Sequence, residues 1–397
     1  MDNYTDYLNS RQQMLMQIFL QSQQNPFDAL DHLRNFCPSA TPLGGAYGGQ
    51  NTPAPPISIP TAPPPQRSGS RLAGVLDVSQ VTLPKMNTRK LDKDAFYADL
   101  TSEVIGQPQA LGVLANLISL HIGKSKPSKP LTVLETGPTG TGKTLSAEII
   151  PKLLTKRTGH DWGYIRVDLN QLTKSHDVSM LLGSTAGLVG YDDELLFQPL
   201  LKNKRQVILL DEMEKGHPDV LKVLMNAMGN GRLEARKFID GQREFDFREC
   251  IMLFTSNLPL CIENPEGMTQ AEISRECRRQ LTEPGDSGPT MPPEIAARFT
   301  EILLFRNLSD ENKVEILGLT VMRTAEQYNL SVRKIAPALM QGIVDRTSVE
   351  RGAREAVTEV ESILGESLKA FNEAYEGVGD IALSGTCEQV IVEPCLS

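Results

Sequence analysis

Gly137 to Thr144 read GPTGTGKT, and this run combines glycines, a lysine and a hydroxyl in a spacing suited to holding phosphate. Glycines let backbone N–H groups turn inward around phosphate oxygens. A helix that follows presents its positive end to the same oxygens. Lys143 would reach the β- and γ-phosphates, and the Thr144 hydroxyl would ligate Mg²⁺. The run follows the apolar stretch LTVLET and precedes a helical pattern, the context a phosphate loop requires. Gly137, Pro138, Thr139, Gly140, Thr141, Gly142, Lys143 and Thr144 are therefore the candidate residues for binding a nucleotide. The stretch VILLDE delivers a second pair of reactive groups at the end of an apolar strand. Asp211 suits the outer shell of a magnesium ion, held through water. Glu212 suits a general base that polarises an attacking water. Without the phosphate loop the same two residues would read as solvated acids at a strand end.

A third stretch, AGLVGY, raises a different question. Gly187 and Gly190 flank Leu188 and Val189, and Tyr191 follows. The glycines mark a loop, yet its centre is apolar. Either it folds back onto its own domain, or its partner is another molecule.

The elements around these residues follow a common pattern. LTVLET, QVILLDE and CIMLFTSN are short runs apolar throughout, alternating with helical stretches such as PDVLKVLMNAM. Such runs predict strands buried on both faces of a parallel sheet, with helices on either side: an α/β fold over residues 88–306. From about residue 307 strand signals vanish until the last dozen residues. There LSDENKVEILGLTVM offers Ser309 as N-cap with acids in the first turn. A smaller, mostly helical domain is expected over residues 307–397. Residues 1–37 carry two helical patterns, the second opened by Asn25 and Pro26. They would lean on the main body or dock a partner or adaptor. Residues 38–87, rich in Pro and Gly at their start, read as a largely disordered linker.

Composition limits the function. The 397 residues carry a formal charge of −9 and are 40% hydrophobic, enough for a sizeable core. An acidic chain argues against a general nucleic-acid binder, which needs a basic face. The six cysteines include no CxxC pair, and the five histidines share no ligand spacing with them, which argues against a zinc site. The start, MDNYTDYLNS, lacks the basic region of a signal peptide, and no apolar run approaches a membrane span. The expectation is a soluble protein of a reducing cytoplasm.

The stretch VDLNQLTKSHDVSMLLGSTAGLVGYDD…VILLDEMEKGHPDVLKVLMNAMGNGRL…DFRECIMLFTSN resembles the Clp family of AAA+ ATPases. Within that family it is most similar to the second ATPase module of the ClpA and ClpB unfoldases. The resemblance runs from VIGQPQA, beginning at Val104, to the end of the chain. It implies an AAA+ phosphate-loop ATPase with a parallel sheet core and a helical lid. It also implies a homo-hexameric ring acting on a protein substrate. Val104 and Ile105 would pack on the adenine. Asn257 matches the sensor that positions the hydrolytic water. Arg298 matches the finger that reaches the γ-phosphate held by a neighbouring subunit, and Arg354 the second sensor on the lid. Gly187, Leu188, Val189, Gly190 and Tyr191 fall where the family carries a Gly-aromatic-Val-Gly loop that grips a threaded polypeptide.

Departures from the family are specific. Leu188 replaces the aromatic, and Ala297 stands before Arg298 where an asparagine is usual. A first ATPase module and a long coiled-coil insertion are missing from the sequence. Between Asn257 and Arg298 there is no Ile-Gly-Phe or Ile-Gly-Leu tripeptide, so a protease partner is not expected; the segment offers instead a Thr269/Glu272 capping box. Two rivals use the same core: a nucleic-acid motor or loader, and an ATP-gated assembly factor that does not thread.

Overall fold

A computed structural model describes residues 91–184 and 193–258, and continues to 395 with short gaps at 259, 261, 263–264, 286–287, 290, 348–352 and 376–378. The helical patterns before residue 38, the linker, and the Gly187–Tyr191 loop lie outside the described residues.

Helices α1 (Lys93–Glu103) and α2 (Pro108–Ile122) precede strand β1 (Leu131–Thr136) and the long helix α3 (Lys143–Thr158). Strand β2 (Gly163–Asp168), the short helix α4 (Val178–Leu182) and strand β3 (Gln206–Asp211) follow. Then come α5 (Pro218–Asn230), a hairpin of β4 (Arg232–Ile239) and β5 (Gln242–Asp246), and β6 (Ile251–Ser256). After α6 (Gln270–Thr282), the two-residue strands β7 (Pro284–Gly285) and β8 (Gly288–Pro289) and the short α7 (Pro293–Ala296) lead to β9 (Glu301–Leu304).

Five of these strands form one parallel sheet in the order β2-β3-β6-β1-β9. The apolar runs occupy its interior: β1, β3 and β6 are buried at every position. Successive residues point to opposite faces. Val207 and Leu209 of β3 join Ile251 and Leu253 of β6 in a core with α1, α2 and α3. Ile208, Leu210, Met252 and Phe254 join the core on the other face, with α5, α6 and the β4–β5 hairpin. The expected α/β sheet with helices on both sides is what forms.

A third core gathers helices α8 (Asp310–Glu326), α9 (Pro337–Arg346) and α10 (Ala353–Ala374) over strands β10 (Ser331–Ile335), β11 (Asp380–Gly385) and β12 (Val390–Pro394). Ser309 caps α8 as expected, accepting from the Asn312 N–H. The capping box at Thr269 and Glu272 is also present. The sequence reading missed β11, which ends before the last dozen residues, and β10. The alternation of β10 is broken by a register shift between Val332 and Lys334, so it exposes Arg333 and Lys334 in succession instead of a period of two.

The chain turns between α1 and α2 at Gly106, with φ of +83°. A Cβ there would meet Leu308 Cδ2 at 2.6 Å and Asn312 Oδ1 at 2.9 Å, so α8 approaches this turn as closely as a glycine allows. Next to it, the buried Gln107 amide exchanges two bonds with the Arg306 backbone. It donates to the carbonyl at 2.8 Å and accepts from the N–H at 2.9 Å.

Helix α1 is tied to α3 by Asp99, whose buried carboxylate takes a two-pronged contact from Arg157, at 2.7 Å from Nε and 2.8 Å from Nη2. Removing one member of a fully buried pair costs about 3–5 kcal/mol. Arg157 is partly exposed and turns to water when its partner goes, so Asp99→Ala should cost less, about 2 kcal/mol. A urea titration of the full chain checks this; an unchanged midpoint would mean that the pair adds no net stability.

Candidate functional site

The site forms where the sheet runs out of apolar residues. β1 ends at Thr136, and the chain enters the glycine loop with φ of +142° at Gly137, +76° at Gly140 and +98° at Gly142. The first and last positions exclude a side chain on two counts. A Cβ at Gly137 would lie 2.1 Å from the Phe305 carbonyl oxygen, and one at Gly142 would lie 2.8 Å from Val104 Cγ1. Gly142 is also the N-cap of α3 and offers no side chain to its first N–H groups. Those donors point at the loop, as anion binding at a helix start requires. Lys143 is nearly buried, and its ammonium donates to the carbonyls of Gly137 at 2.8 Å and Pro138 at 2.6 Å. Thr141 donates to the Pro138 carbonyl at 2.9 Å and tightens the same turn. Burial lowers the Lys143 ammonium to about 8, with Glu135, Glu214 and Asp211 pulling the other way.

Asp211, at the end of β3, faces the start of α3. Its Oδ1 accepts from the Thr144 hydroxyl at 3.4 Å and from the Thr255 hydroxyl at 2.5 Å; its Oδ2 accepts from Arg166 Nη2 at 2.8 Å. Strands β2, β3 and β6 therefore meet at one carboxylate. Glu212 follows in the left-handed region, φ 56° and ψ 56°, which costs a non-glycine residue energy and turns the chain sharply out of the strand. Its N–H donates to the Thr255 hydroxyl at 3.1 Å. Asn257 comes one residue after β6, and its N–H donates to Glu214 Oε1 at 3.1 Å. Beneath the loop, the fully buried Glu135 contacts Ser146 of α3.

Val104 and Ile105 are buried at the mouth of a cleft of about 440 Å³, lined also by Thr101, Gln107, Asn312 and Glu315. The structure thus brings Val104, Ile105, the glycine loop, Lys143, Thr144, Asp211, Glu212 and Asn257 to one end of the sheet. Arg298 does not join them. It is exposed just after α7, with its guanidinium over Gly229 of α5, and shares no hydrogen bond with the loop or Asp211 among the described residues. Arg354 lies in the first turn of α10. Arg166, Thr255, Ser146 and Glu135 are the contributors that the sequence reading missed. For Glu135 a signal existed, a carboxyl inside an apolar run.

This geometry has known counterparts. The family model described as AAA domain (Cdc48 subfamily) matches residues 129–302, from just before β1 into β9. The ClpE ATP-binding subunit of an ATP-dependent Clp protease from Streptococcus pneumoniae is 35% identical over 229 residues, 56% of this chain and 28% of that protein. The chaperone protein ClpB of Brucella suis is 32% identical over 241 residues, 60% of this chain and 26% of that protein. A cryo-EM reconstruction of Hsp104 with ATPyS and FITC casein superposes with a TM-score of 0.59 at 26% identity, over 76% of this chain and 51% of that one. Over residues 129–302 the chain matches an AAA domain, and over this stretch it is similar to Clp-type AAA+ proteins. It spans less than a third of the length of these curated relatives. No helix among the described residues is long and apolar enough to cross a membrane.

Thr255 serves both acids at the end of β3. Thr255→Val keeps its shape but leaves the part-buried Glu212 N–H without this acceptor and removes the shortest of the three donors to Asp211. The expected loss is about 1–3 kcal/mol, and Thr255→Ser should restore most of it. Thermal melts of the two variants check this; equal melting temperatures would show that the bridging hydroxyl is not needed.

Proposed function

We propose that this chain is a Mg²⁺-dependent ATPase of the ring-forming Clp type that uses hydrolysis to remodel or unfold a protein substrate. One observation carries the reading. The loop that ends in Lys143 and Thr144 meets Asp211 at the carboxyl end of a sealed parallel sheet, where open α/β folds place their ligands. The glycine loop wraps the phosphates with N–H groups, and Lys143 exchanges its bonds to the loop carbonyls for phosphate oxygens. A hydroxyl and a carboxylate side by side are hard oxygen donors that suit magnesium. Thr144 would hold the ion directly and Asp211 through water; bound there, it neutralises charge on the β- and γ-phosphates. Glu212 acts as general base on the attacking water and Asn257 positions it. Val104 and Ile105 pack on the adenine.

Arg298 is exposed, which suits a charge supplied to the ATP of a neighbouring subunit in a homo-hexamer. Arg354 belongs to a lid over residues 307–397 and responds to the nucleotide held by the large domain, 88–306. Gly187 to Tyr191 line the pore, with Leu188 as the apolar grip in place of an aromatic. Residues 1–37 dock an adaptor, 38–87 are a linker, and the protein works in the cytoplasm without a protease partner. Relatives described as a chaperone and as a Clp subunit, and a related structure that includes casein, support a protein substrate.

Lys143→Ala should abolish ATP binding, because it removes the charge on the β- and γ-phosphates. Glu212→Gln should bind ATP and lose turnover by about 10²-fold or more. Arg298→Ala should bind ATP and lose turnover by about 10³-fold or more, because the finger acts in trans. Mixing the Arg298→Ala and Lys143→Ala chains should return activity, since an intact loop can then face an intact Arg298. Calorimetry and phosphate release read these outcomes. Equal ATP affinity in Lys143→Ala and the parent chain would remove the phosphate-loop assignment, and rapid hydrolysis by a monomer would remove the trans finger.

Leu188→Ser should leave ATP hydrolysis intact and abolish unfolding of a fluorescent reporter protein. The polar side chain forgoes an apolar contact worth about 1.5–3 kcal/mol when buried. ATPase stimulation by single-stranded DNA and not by unfolded protein would overturn the substrate class. A fall in melting temperature in Leu188→Ser, with remodelling unchanged, would place Leu188 in its own domain's core.

A further inference from the structure

Glu135 is the one charged residue in β1, fully buried and two positions before the glycine loop. Both of its carboxyl oxygens approach the Ser146 hydroxyl of α3, Oε1 at 3.0 Å and Oε2 at 2.9 Å. The same hydroxyl lies 2.6 Å from the backbone carbonyl oxygen of Lys143. A serine hydroxyl has one hydrogen to give, and a carbonyl can only accept. The shortest contact therefore takes the serine hydrogen; otherwise lone pairs would face each other across it. The contact between Ser146 and Glu135 then needs a hydrogen from the carboxyl group itself.

We propose that Glu135 is held as the neutral acid and is a positioning residue for the phosphate loop. Its O–H donates to Ser146, and the Ser146 O–H donates to the Lys143 carbonyl. This chain of bonds ties the first turn of α3, which carries Lys143 and Thr144, to the middle of the sheet.

The surroundings fit. The register partners of Glu135 are Thr255 on β6 and Leu303 on β9, neither of them charged. The charges that face it are Lys143 from α3 and Asp211 from β3. Lys143 directs its ammonium to two loop carbonyls, and no cation forms an ion pair with Glu135 among the described residues. Burial raises the carboxyl to about 8, with Lys143 opposing and Asp211 adding to the rise; a bond donated by Ser146 would oppose it too, but that hydrogen goes to the Lys143 carbonyl. The neutral form holds below that pH and is lost above it. Ionisation removes the donor to Ser146 and places a negative charge under a loop that receives a triphosphate.

The inference rests on the ATP-binding reading above and adds a residue and a pH dependence to it. ATP affinity of the full chain is measured across pH for the parent and for Glu135→Gln, whose amide donates to Ser146 but does not titrate. If only the neutral acid binds, affinity follows its fraction, so by pH 9 the parent should lose about tenfold more than the variant. Lys143 titrates in both chains, and only in the parent does an ionised Glu135 hold its ammonium, so this coupling works against the expected difference and cannot produce it. Parallel losses would overturn the proposal. Infrared spectra of the nucleotide-free parent give a second reading that does not need the variant to fold. A protonated-carboxyl C=O band should be present at pH 7 and vanish as the pH passes about 8; its absence at pH 7 would also overturn the proposal. Failure of the parent to bind ATP at pH 7 would count against the ATP reading alone, and the infrared band would still decide the state of Glu135.

Discussion

The Asp211 carboxylate is the contact on which the site depends. It ends a strand with no polar room on either face, so its charge can be satisfied only at the sheet's edge. Thr255, Arg166 and Thr144 meet it there from β6, β2 and α3. In a parallel sheet these strands all end on the same side, and the right-handed crossovers return each helix to the same starting end. Once the sheet order places β3 between β2 and β6, one carboxylate can hold three elements in register. The same point sets Glu212. Its N–H is caught by the hydroxyl that already serves Asp211, which compensates part of the cost of the left-handed turn.

Legibility in the sequence followed the range of each interaction. The glycine loop, Asp211 and Glu212 could be read because their signals are local: a run of eight residues and the end of an apolar strand. The caps at Ser309 and Thr269 could be read for the same reason. Arg166 and Thr255 could not, because their roles appear only when the sheet order is known. Arg166 lies forty-five residues from the carboxylate it holds. β10 was missed because its bulge breaks the alternation on which strand recognition relies. Arg298 and Arg354 came from the resemblance alone; nothing in their local sequence marks them.

Glu135 shows what the sealed sheet costs and how that cost is reduced. An ionised carboxylate with no cation beside it is far more expensive to bury than a neutral acid with a hydrogen-bond partner. The neighbouring position, Ser146, supplies that partner from α3, and the buried network then has a direction, from strand to helix to the backbone of Lys143. A leucine at position 135 would fill the same space without penalty, but it would leave α3 attached to β1 through apolar contact only. Such contact does not fix rotation of the helix about its axis, whereas a chain of directional bonds does.

The same reasoning extends to the other end of the cleft. Val104, Ile105, Gly106 and Gln107 are consecutive and all border the cleft, and the last two also touch the segment that leads into α8. Val104 also sits against Gly142, so the turn contacts the phosphate loop on one side and the approach to α8 on the other. Gly106 has no spare volume, and Gln107 holds the Arg306 backbone by two bonds that are lost together if the angle changes. Arg323 of α8 adds an ion pair to Glu103 on α1. A rotation of α8 relative to the sheet must therefore break the Gln107 bonds or carry the Gly106 turn with it. In the second case Val104 and Ile105 move as well. Whatever fills the cleft and whatever sets the angle of α8 act on the same four residues, and close packing leaves them no room to respond separately.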